Sequence, residues 1–320
     1  MSSVDEALQW AASHFASALE KRPSGPMEYL SDRGYGPEVI EAFGLGWAED
    51  EWESLLAAGK DAGFSESTLE SAGLVIKRQT SGSYDRHRGQ LIFPLYGQGG
   101  SPVGFAGRTI NPSYDEPKYI NSPETSAYSK DEYLYGLWSE QVIEAAGTAV
   151  ITEGYTDVIT LHRSGITNAV ASSGTALTQS QASILSEMAS QVVFAYDGDE
   201  AGLTSTIRGM KRCLQAGLWP RAVRLPEGED PHSIVRKEGG EAVWKAMRGS
   251  KPLPSFLLSA TEHFGYELPE EQTPLSALLS VEVGGGQQLR QRYLIEVGRA
   301  TGKPDRAIFR RSVTDEPEMA

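Results

Sequence analysis

The chain has 320 residues, 39% of them apolar, and a formal net charge of −14. That is length for two or three compact domains with a core, and too acidic a balance for a protein that coats nucleic acid indiscriminately. A single cysteine, Cys213, excludes an intrachain disulfide and a cysteine-rich zinc module. The scattered histidines (His14, His87, His162, His232, His263) form no His-x-x-x-His pair, so zinc hydrolase chemistry has no support. No apolar run approaches the ~20 residues of a membrane span, and Met1-Ser-Ser-Val-Asp-Glu6 lacks the signature of a signal peptide. A cytoplasmic protein is expected.

In chain order, residues 5–20 place Ala7, Leu8, Ala11, Ala12, Phe15, Ala18 and Leu19 at helical spacing, and Pro23-Ser-Gly-Pro26 ends that helix. Further helices are predicted over 27–34, 37–43, 52–63 and 66–72. From Leu74 the period changes. Leu91-Ile-Phe-Pro-Leu-Tyr96, the turn Gly97-Gln-Gly-Gly100 and Pro102-Val-Gly-Phe-Ala106 read as a β-hairpin. Its glycines lack the Gly-Lys-Ser/Thr ending of a phosphate-binding loop. The segment from Lys77 to Lys130 carries +3 and the remainder −17. Such a basic segment suits steering of phosphate, although ordinary composition accounts for it equally well when taken alone.

From Thr148 the pattern alternates. Strands are predicted over 148–152, 167–171, 191–196 and 221–225, and helices over 155–164, 178–188, 200–216 and 232–238. Repeated βα units with short loops imply a parallel, doubly wound sheet. From Lys251 the chain is helical again, broken at Gly265, Pro269 and Gly284-Gly-Gly286. Gly302-Lys-Pro304 separates a last short helix, and the tail from Thr314 to Ala320 is expected to fray.

The chemistry-bearing residues fall where predicted strands end. Glu153 and Asp157 follow the first strand of the alternating region and share one face of a helix start. Asp197-Gly-Asp199 follows the third strand, and Pro226-Glu-Gly-Glu-Asp230-Pro-His232 follows the fourth. In an open α/β sheet such ends point to one crevice. Carboxylates gathered there repel one another unless cations neutralise them, which points to Mg²⁺ or Mn²⁺ and phosphate chemistry. For one acidic residue alone, a helix cap or dipole partner is the better explanation; three acidic loops in equivalent positions favour a metal site. Ser172-Ser-Gly-Thr-Ala176 suits either a phosphate-binding loop or a plain loop with Thr178 as N-cap.

Glu153-Gly-Tyr-Thr-Asp157 with Asp197-Gly-Asp-Glu-Ala-Gly202 resembles the Toprim metal site of primases, topoisomerases and some nucleases. Surrounding segments resemble bacterial DnaG-type primases: Tyr29-Leu-Ser-Asp-Arg-Gly34, Gly104-Phe-Ala-Gly-Arg108, Pro117-Lys-Tyr-Ile-Asn-Ser-Pro-Glu-Thr125, Leu134-Tyr-Gly-Leu137, Ala169-Val-Ala-Ser-Ser-Gly-Thr175 and Gly228-Glu-Asp-Pro231. The resemblance runs from about Asp5 to about Phe309. It implies an α+β and α/β core in three parts: a mixed α/β lobe (1–140), a Toprim parallel-sheet lobe (141–250) and a small helical bundle (251–320). It implies synthesis of short RNA primers from NTPs on single-stranded DNA. On this resemblance Glu153, Asp197 and Asp199 are catalytic, and Glu153, Asp157, Asp197, Asp199 and Asp230 hold two or more Mg²⁺ or Mn²⁺ ions. Arg88, Arg108, Lys118, Tyr119, Asn121 and Lys130 match positions that bind nucleotide and nucleic acid. The expected partners are DNA template, NTPs and RNA primer, with a replicative helicase and a zinc-binding module in trans as further candidates, and the core is expected to be monomeric.

Three departures accompany the resemblance. Neither a zinc-binding module nor a helicase-binding domain flanks the core, which suits an excised core or a compact, phage-type primase in a host cytoplasm. Arg88-Gly-Gln90 stands where the family shows Arg-x-Arg. His232 stands where a second Asp follows Asp-Pro, favouring a softer ion such as Mn²⁺ or removing one metal. The alternatives kept open are a Toprim-type nuclease and a catalytically weak scaffold that binds DNA or a helicase.

Overall fold

The computed structural model describes residues 3–21, 23–111, 117–174, 176–304 and 307–308. Asp115, Glu116, Thr175 and the expected frayed tail lie outside them. The chain forms two compact units, Met1–Tyr133 and Leu134–Ala320.

In the first unit, α1 (Val4–Glu20) opens on a capping box in which the Ser3 hydroxyl accepts from Glu6 N, with the Glu6 carboxylate returning to Ser3 N. Then come α2 (Ser24–Asp32), α3 (Pro37–Ala42), β1 (Gly46–Ala48), α4 (Ser54–Asp61), α5 (Glu66–Ser71), β2 (Val75–Lys77), β3 (Ser83–Asp85), β4 (Gln90–Tyr96), β5 (Pro102–Thr109) and β6 (Tyr119–Asn121). The predicted hairpin is β4 and β5, antiparallel with Phe93 opposite Ala106. It sits inside a sheet of order β1-β4-β5-β6, while β2 and β3 form a ribbon of their own. The apolar stripe of α1 (Ala7, Leu8, Ala11, Phe15) packs with Leu55, Leu56 and Leu69 onto Ile92 and Phe105 of the sheet. Strands β1, β2, β3 and β6 were not anticipated; three residues are too few to carry an alternating pattern.

The second unit runs through a 3₁₀ turn at Leu137–Ser139, α6 (Glu140–Ala146), β7 (Thr148–Thr152), α7 (Tyr155–Arg163), β8 (Ala169–Ala171), α8 (Gln179–Met188), β9 (Gln191–Phe194), α9 (Glu200–Gln215), β10 (Trp219–Ala222), α10 (Pro231–Glu238), α11 (Gly240–Arg248), β11 (Lys251–Pro252), α12 (Leu253–His263), α13 (Pro274–Leu279) and α14 (Gln287–Thr301). The sheet order is β11-β10-β9-β7-β8, parallel throughout except for β11. The predicted βα alternation is present, and β11 and α11 are additions to it.

Helices cover both faces. Ile151, Val170, Val192 and Phe194 pack with α8, α9, α12, α13 and α14 through Ile207, Cys213, Phe256, Leu278 and Tyr293. Val150, Val193 and Ala195 pack on the other face with Leu161, Ile234, Val243 and Met247 of α7, α10 and α11. Cys213 is a buried thiol in this core, as its helical setting predicts. Helices α12–α14 thus share the core of the parallel sheet. Burying both faces makes these strands continuously apolar and aims their C-terminal ends, where the loops leave, along one edge.

Candidate metal centre and nucleic-acid surface

Each acidic loop is shaped by local hydrogen bonds. Glu153 follows β7, and its Oε1 accepts from the backbone N–H of Asp197 beyond β9, at 3.2 Å. Asp157, in the first turn of α7, accepts from Gly154 N at 3.2 Å through Oδ2. Asp199 is the N-cap of α9, its Oδ1 2.7 Å from Gly202 N. Asp230 is the N-cap of α10, its Oδ1 2.6 Å from Ser233 N. Helix capping therefore holds for Asp199 and Asp230, and it orients both carboxylates at the strand-end edge. Gly198 N donates to Glu229 O at 2.7 Å and ties two of the loops together. A Cβ at Gly198 would stand 1.8 Å from Pro226 O, so only glycine fits that approach.

Asp157 feels the charges of two of the other acids. Asp157 is 4% exposed. Burial, then the charges of Asp230 and Asp197, push its carboxyl well above the usual carboxylate range, against the backbone N–H groups of Gly154 and His232. Its Oδ1 is buried and accepts no hydrogen bond among the described residues, and Asp197 Oδ1 is buried as well. A buried carboxylate oxygen left this way beside two like charges is the setting a divalent cation relieves. The residues present therefore fit a metal. Among the described residues, however, no three His, Cys, Asp or Glu side chains close around one point. Two of the acids are turned to helix N-termini instead.

His232 is buried, and its Nδ1 lies 2.8 Å from Thr160 Oγ1 of α7. In the small-residue loop after β8, two backbone N–H groups and one hydroxyl are already engaged within the protein. Ser172 N donates to Thr152 O and Gly174 N to Glu153 O, while the Ser172 hydroxyl meets Tyr196 Oη at 3.0 Å.

Of the predicted nucleotide and nucleic-acid residues, Arg108, Tyr119 and Asn121 lie on β5 and β6 of the first unit's sheet, while Arg88 precedes β4, Lys118 precedes β6 and Lys130 follows in a turn. The Arg88 guanidinium lies over the Trp52 ring at 3.5 Å and near Tyr84 at 6.0 Å. Arg108 stands between the rings of Tyr29 (4.8 Å) and Tyr119 (5.0 Å), and its Nη1 donates to Tyr119 Oη at 2.7 Å. Such stacking holds a guanidinium's orientation. Strand pairing sets Arg108 opposite Tyr119 and Ala106 opposite Asn121, whose carbonyl accepts from Arg86 Nε and Nη2. Lys118 is exposed just before β6, and Lys130 is half-buried with its backbone N–H on Glu124 Oε1. Gln90 is buried, bonded to His87 Nδ1 at 3.0 Å and Thr109 Oγ1 at 3.3 Å, and so adds nothing to the cationic surface.

Arg86, Trp52, Tyr84 and Tyr29 are additions from the structure. Trp52 is 57% exposed in a run that reads as helix but begins with a turn. Its one legible signal is a tryptophan among acidic residues.

A doubly wound sheet that delivers acidic loops from three strand ends is the architecture of a Toprim-like lobe. A Toprim-like family model matches residues 150–235, and that of the DNA primase catalytic core, N-terminal domain, matches residues 14–141. A DNA primase of Clostridium acetobutylicum is 41% identical over 240 residues, which is 75% of this chain and 40% of that protein. A solved DNA primase domain from Pseudomonas aeruginosa is 32% identical with a TM-score of 0.83, over 97% of this chain and 99% of that one. A DnaG primase catalytic domain solved bound to single-stranded DNA is 32% identical with a TM-score of 0.79, over 95% and 98%. The chain belongs to the DnaG-type bacterial primase family and matches its catalytic core. It spans about half the length of the curated relatives it matches.

Proposed function

We propose that this chain is the RNA-polymerising core of a primase, joining NTPs into short RNA primers on a single-stranded DNA template. One observation carries the proposal: acidic side chains from three loops at one sheet edge, with Asp157 buried under the charges of Asp197 and Asp230. The likeness to primase cores over nearly the whole chain favours this reading above the Toprim nuclease and the inactive scaffold.

Glu153, Asp157, Asp197, Asp199 and Asp230 would hold Mg²⁺ or Mn²⁺, with Glu153, Asp197 and Asp199 catalytic; no zinc is assigned to this chain. A divalent metal held by these residues would supply Lewis-acid activation of a 3′-hydroxyl and charge stabilisation at the transferred phosphate. Toprim primases are metal-dependent as a family. The chain's own part is to position its carboxylates before metal arrives. A backbone N–H group donates to each of the carboxylates of Glu153, Asp157, Asp199 and Asp230, which orients them. Arg88, Arg108, Lys118, Tyr119, Asn121 and Lys130 bind nucleotide and template, the two arginines pre-oriented by their aromatic partners. The reading assigns residues 1–140, 141–250 and 251–320 to a mixed lobe, a catalytic lobe and a helical subdomain. A replicative helicase and a zinc-binding module in trans complete the expected partners of a monomeric, cytoplasmic core.

The test uses a single-stranded DNA template, labelled NTPs and Mg²⁺ or Mn²⁺. Short RNA made by the wild type and abolished in Glu153→Gln is expected, because Gln Oε1 still accepts from Asp197 N while the charge is lost. Loss of DNA without NTPs points to the nuclease. Absence of any chemistry points to the scaffold.

A further inference from the structure

We propose that Arg224 is a phosphate-contacting residue at the rim of the acidic centre, a role that rests on the primase reading above. Arg224 lies two residues past β10 and six before Asp230, at the sheet edge where the acidic loops leave. Its Nη1 donates to the backbone carbonyl of Asp199 at 2.9 Å. Its guanidinium lies 5.5 Å from the ring centre of Phe264, the residue that ends α12, and that ring is 42% exposed.

Carboxylates crowd the neighbouring loops, yet Arg224 forms no ion pair among the described residues. Asp199 and Asp230 are turned to helix N-termini, and Asp157 to Gly154 N. The arginine is instead held by a neutral carbonyl on one side and an aromatic face on the other. Arg221, one strand position inside β10, is by contrast consumed by Ser250, which it meets through both Nε and Nη2. A guanidinium has five N–H donors in one plane. The anchor to Asp199 uses one of them, and stacking on Phe264 leaves the edge open. A polyphosphate approaching a cluster of carboxylates needs positive charge beyond the metals, and a planar fork fixed beside Asp199 supplies it bidentately.

The phosphate has two sources here, the triphosphate of an NTP or the phosphodiester of nucleic acid. The experiment separates them using Arg224→Gln, Arg224→Lys and the wild type at one fixed salt concentration. Gln keeps an N–H for the Asp199 carbonyl and removes the charge. Affinity for a fluorescent ATP analogue with Mg²⁺, affinity for a single-stranded oligonucleotide and melting temperature are measured at equilibrium, so turnover is not required. Arg224→Gln is expected to bind one of the two ligands about tenfold more weakly, as for loss of one charge-assisted hydrogen bond, with unchanged melting temperature and only partial recovery in Arg224→Lys, which restores the charge but not the planar fork.

Weakening confined to the nucleotide assigns the triphosphate, and weakening confined to the oligonucleotide assigns the phosphodiester. Wild-type affinity of Arg224→Gln for both ligands overturns the proposal, as does a fall in melting temperature with both affinities intact, which marks a mere loop staple. A wild type that binds these ligands but makes no RNA refutes the polymerase reading and leaves the phosphate contact standing. A wild type that binds neither refutes both.

Discussion

Gly202→Ala turns the packing of the acidic loops into a measurable sign. Glycine inside a helix ordinarily costs about 1 kcal/mol relative to alanine, so the exchange at an exposed site in α9 would stabilise the protein by that amount. At position 202 the new Cβ would stand 2.2 Å from the Asp197 carbonyl oxygen and 2.9 Å from Glu153 Oε1. That is more than ~1 Å inside ordinary contact distance, and the nearer atom is backbone. Something must move. Overpacking of this kind costs about 1–3 kcal/mol, and weakening the Gly202 N to Asp199 Oδ1 cap adds about 1 kcal/mol. After the helix-propensity gain, a net loss of about 1–3 kcal/mol is expected, with the sign reversed from the generic case. The same displacement reaches Asp197, Glu153 and Asp199 together. A shift of ~1 Å among groups that must be aligned costs on the order of 10²-fold in rate. Urea unfolding of the two proteins gives the stability term, and primer synthesis under saturating NTP gives the rate. A Gly202→Ala protein as stable as the wild type and equally active would refute the close packing of α9 on the acidic loops.

Two further outcomes are expected. His87 is fully buried, and burial lowers its imidazole to about 4 from 6.5. The depressed folded value means that its stabilising contribution is complete above pH 6.5 and is lost as pH falls from there towards 4, because only the unfolded chain takes up the proton. Denaturant melts of wild type and His87→Phe should therefore differ by about 2 kcal/mol less at pH 5 than at pH 8, with the opposing titration of Asp85 cancelling between the two proteins; a pH-independent difference would contradict the burial. His232→Asp should lower the ratio of Mn²⁺- to Mg²⁺-supported primer synthesis relative to the wild type, since imidazole favours the softer ion. Identical ratios in the two proteins would remove His232 from the metal's surroundings.

Much of the candidate site was legible because its signals are local. The apolar runs at 148–152 and 191–196, followed by helical spacing, locate loops without any long-range contact, and acids in equivalent loops of a parallel sheet share an edge as a matter of topology. Strand ends were read less well. The fourth strand, read as 221–225, is Trp219–Ala222, because the pairing of Trp219 with Gln191 and of Ala222 with Phe194 decides where the ladder begins and ends. The short strands β1, β2, β3, β6 and β11 left no pattern, and α11 was passed over between glycines.

The amino-acid order by itself determined which loops carry charge, and it separated a mixed first region from an alternating second one. Both follow from side-chain periodicity and turn residues close together in the chain. Only the folded structure decided how each charge is used. Asp199 and Asp230 face helix N-termini, Asp157 is sealed under two like charges, and Gln90 turns inward to His87. Arg88 and Arg108 are stacked on aromatic rings that precede them by 36 and 79 positions, Trp52 and Tyr29. Burial and pairing across such separations depend on which surfaces meet after folding, and no window of neighbouring residues contains that information.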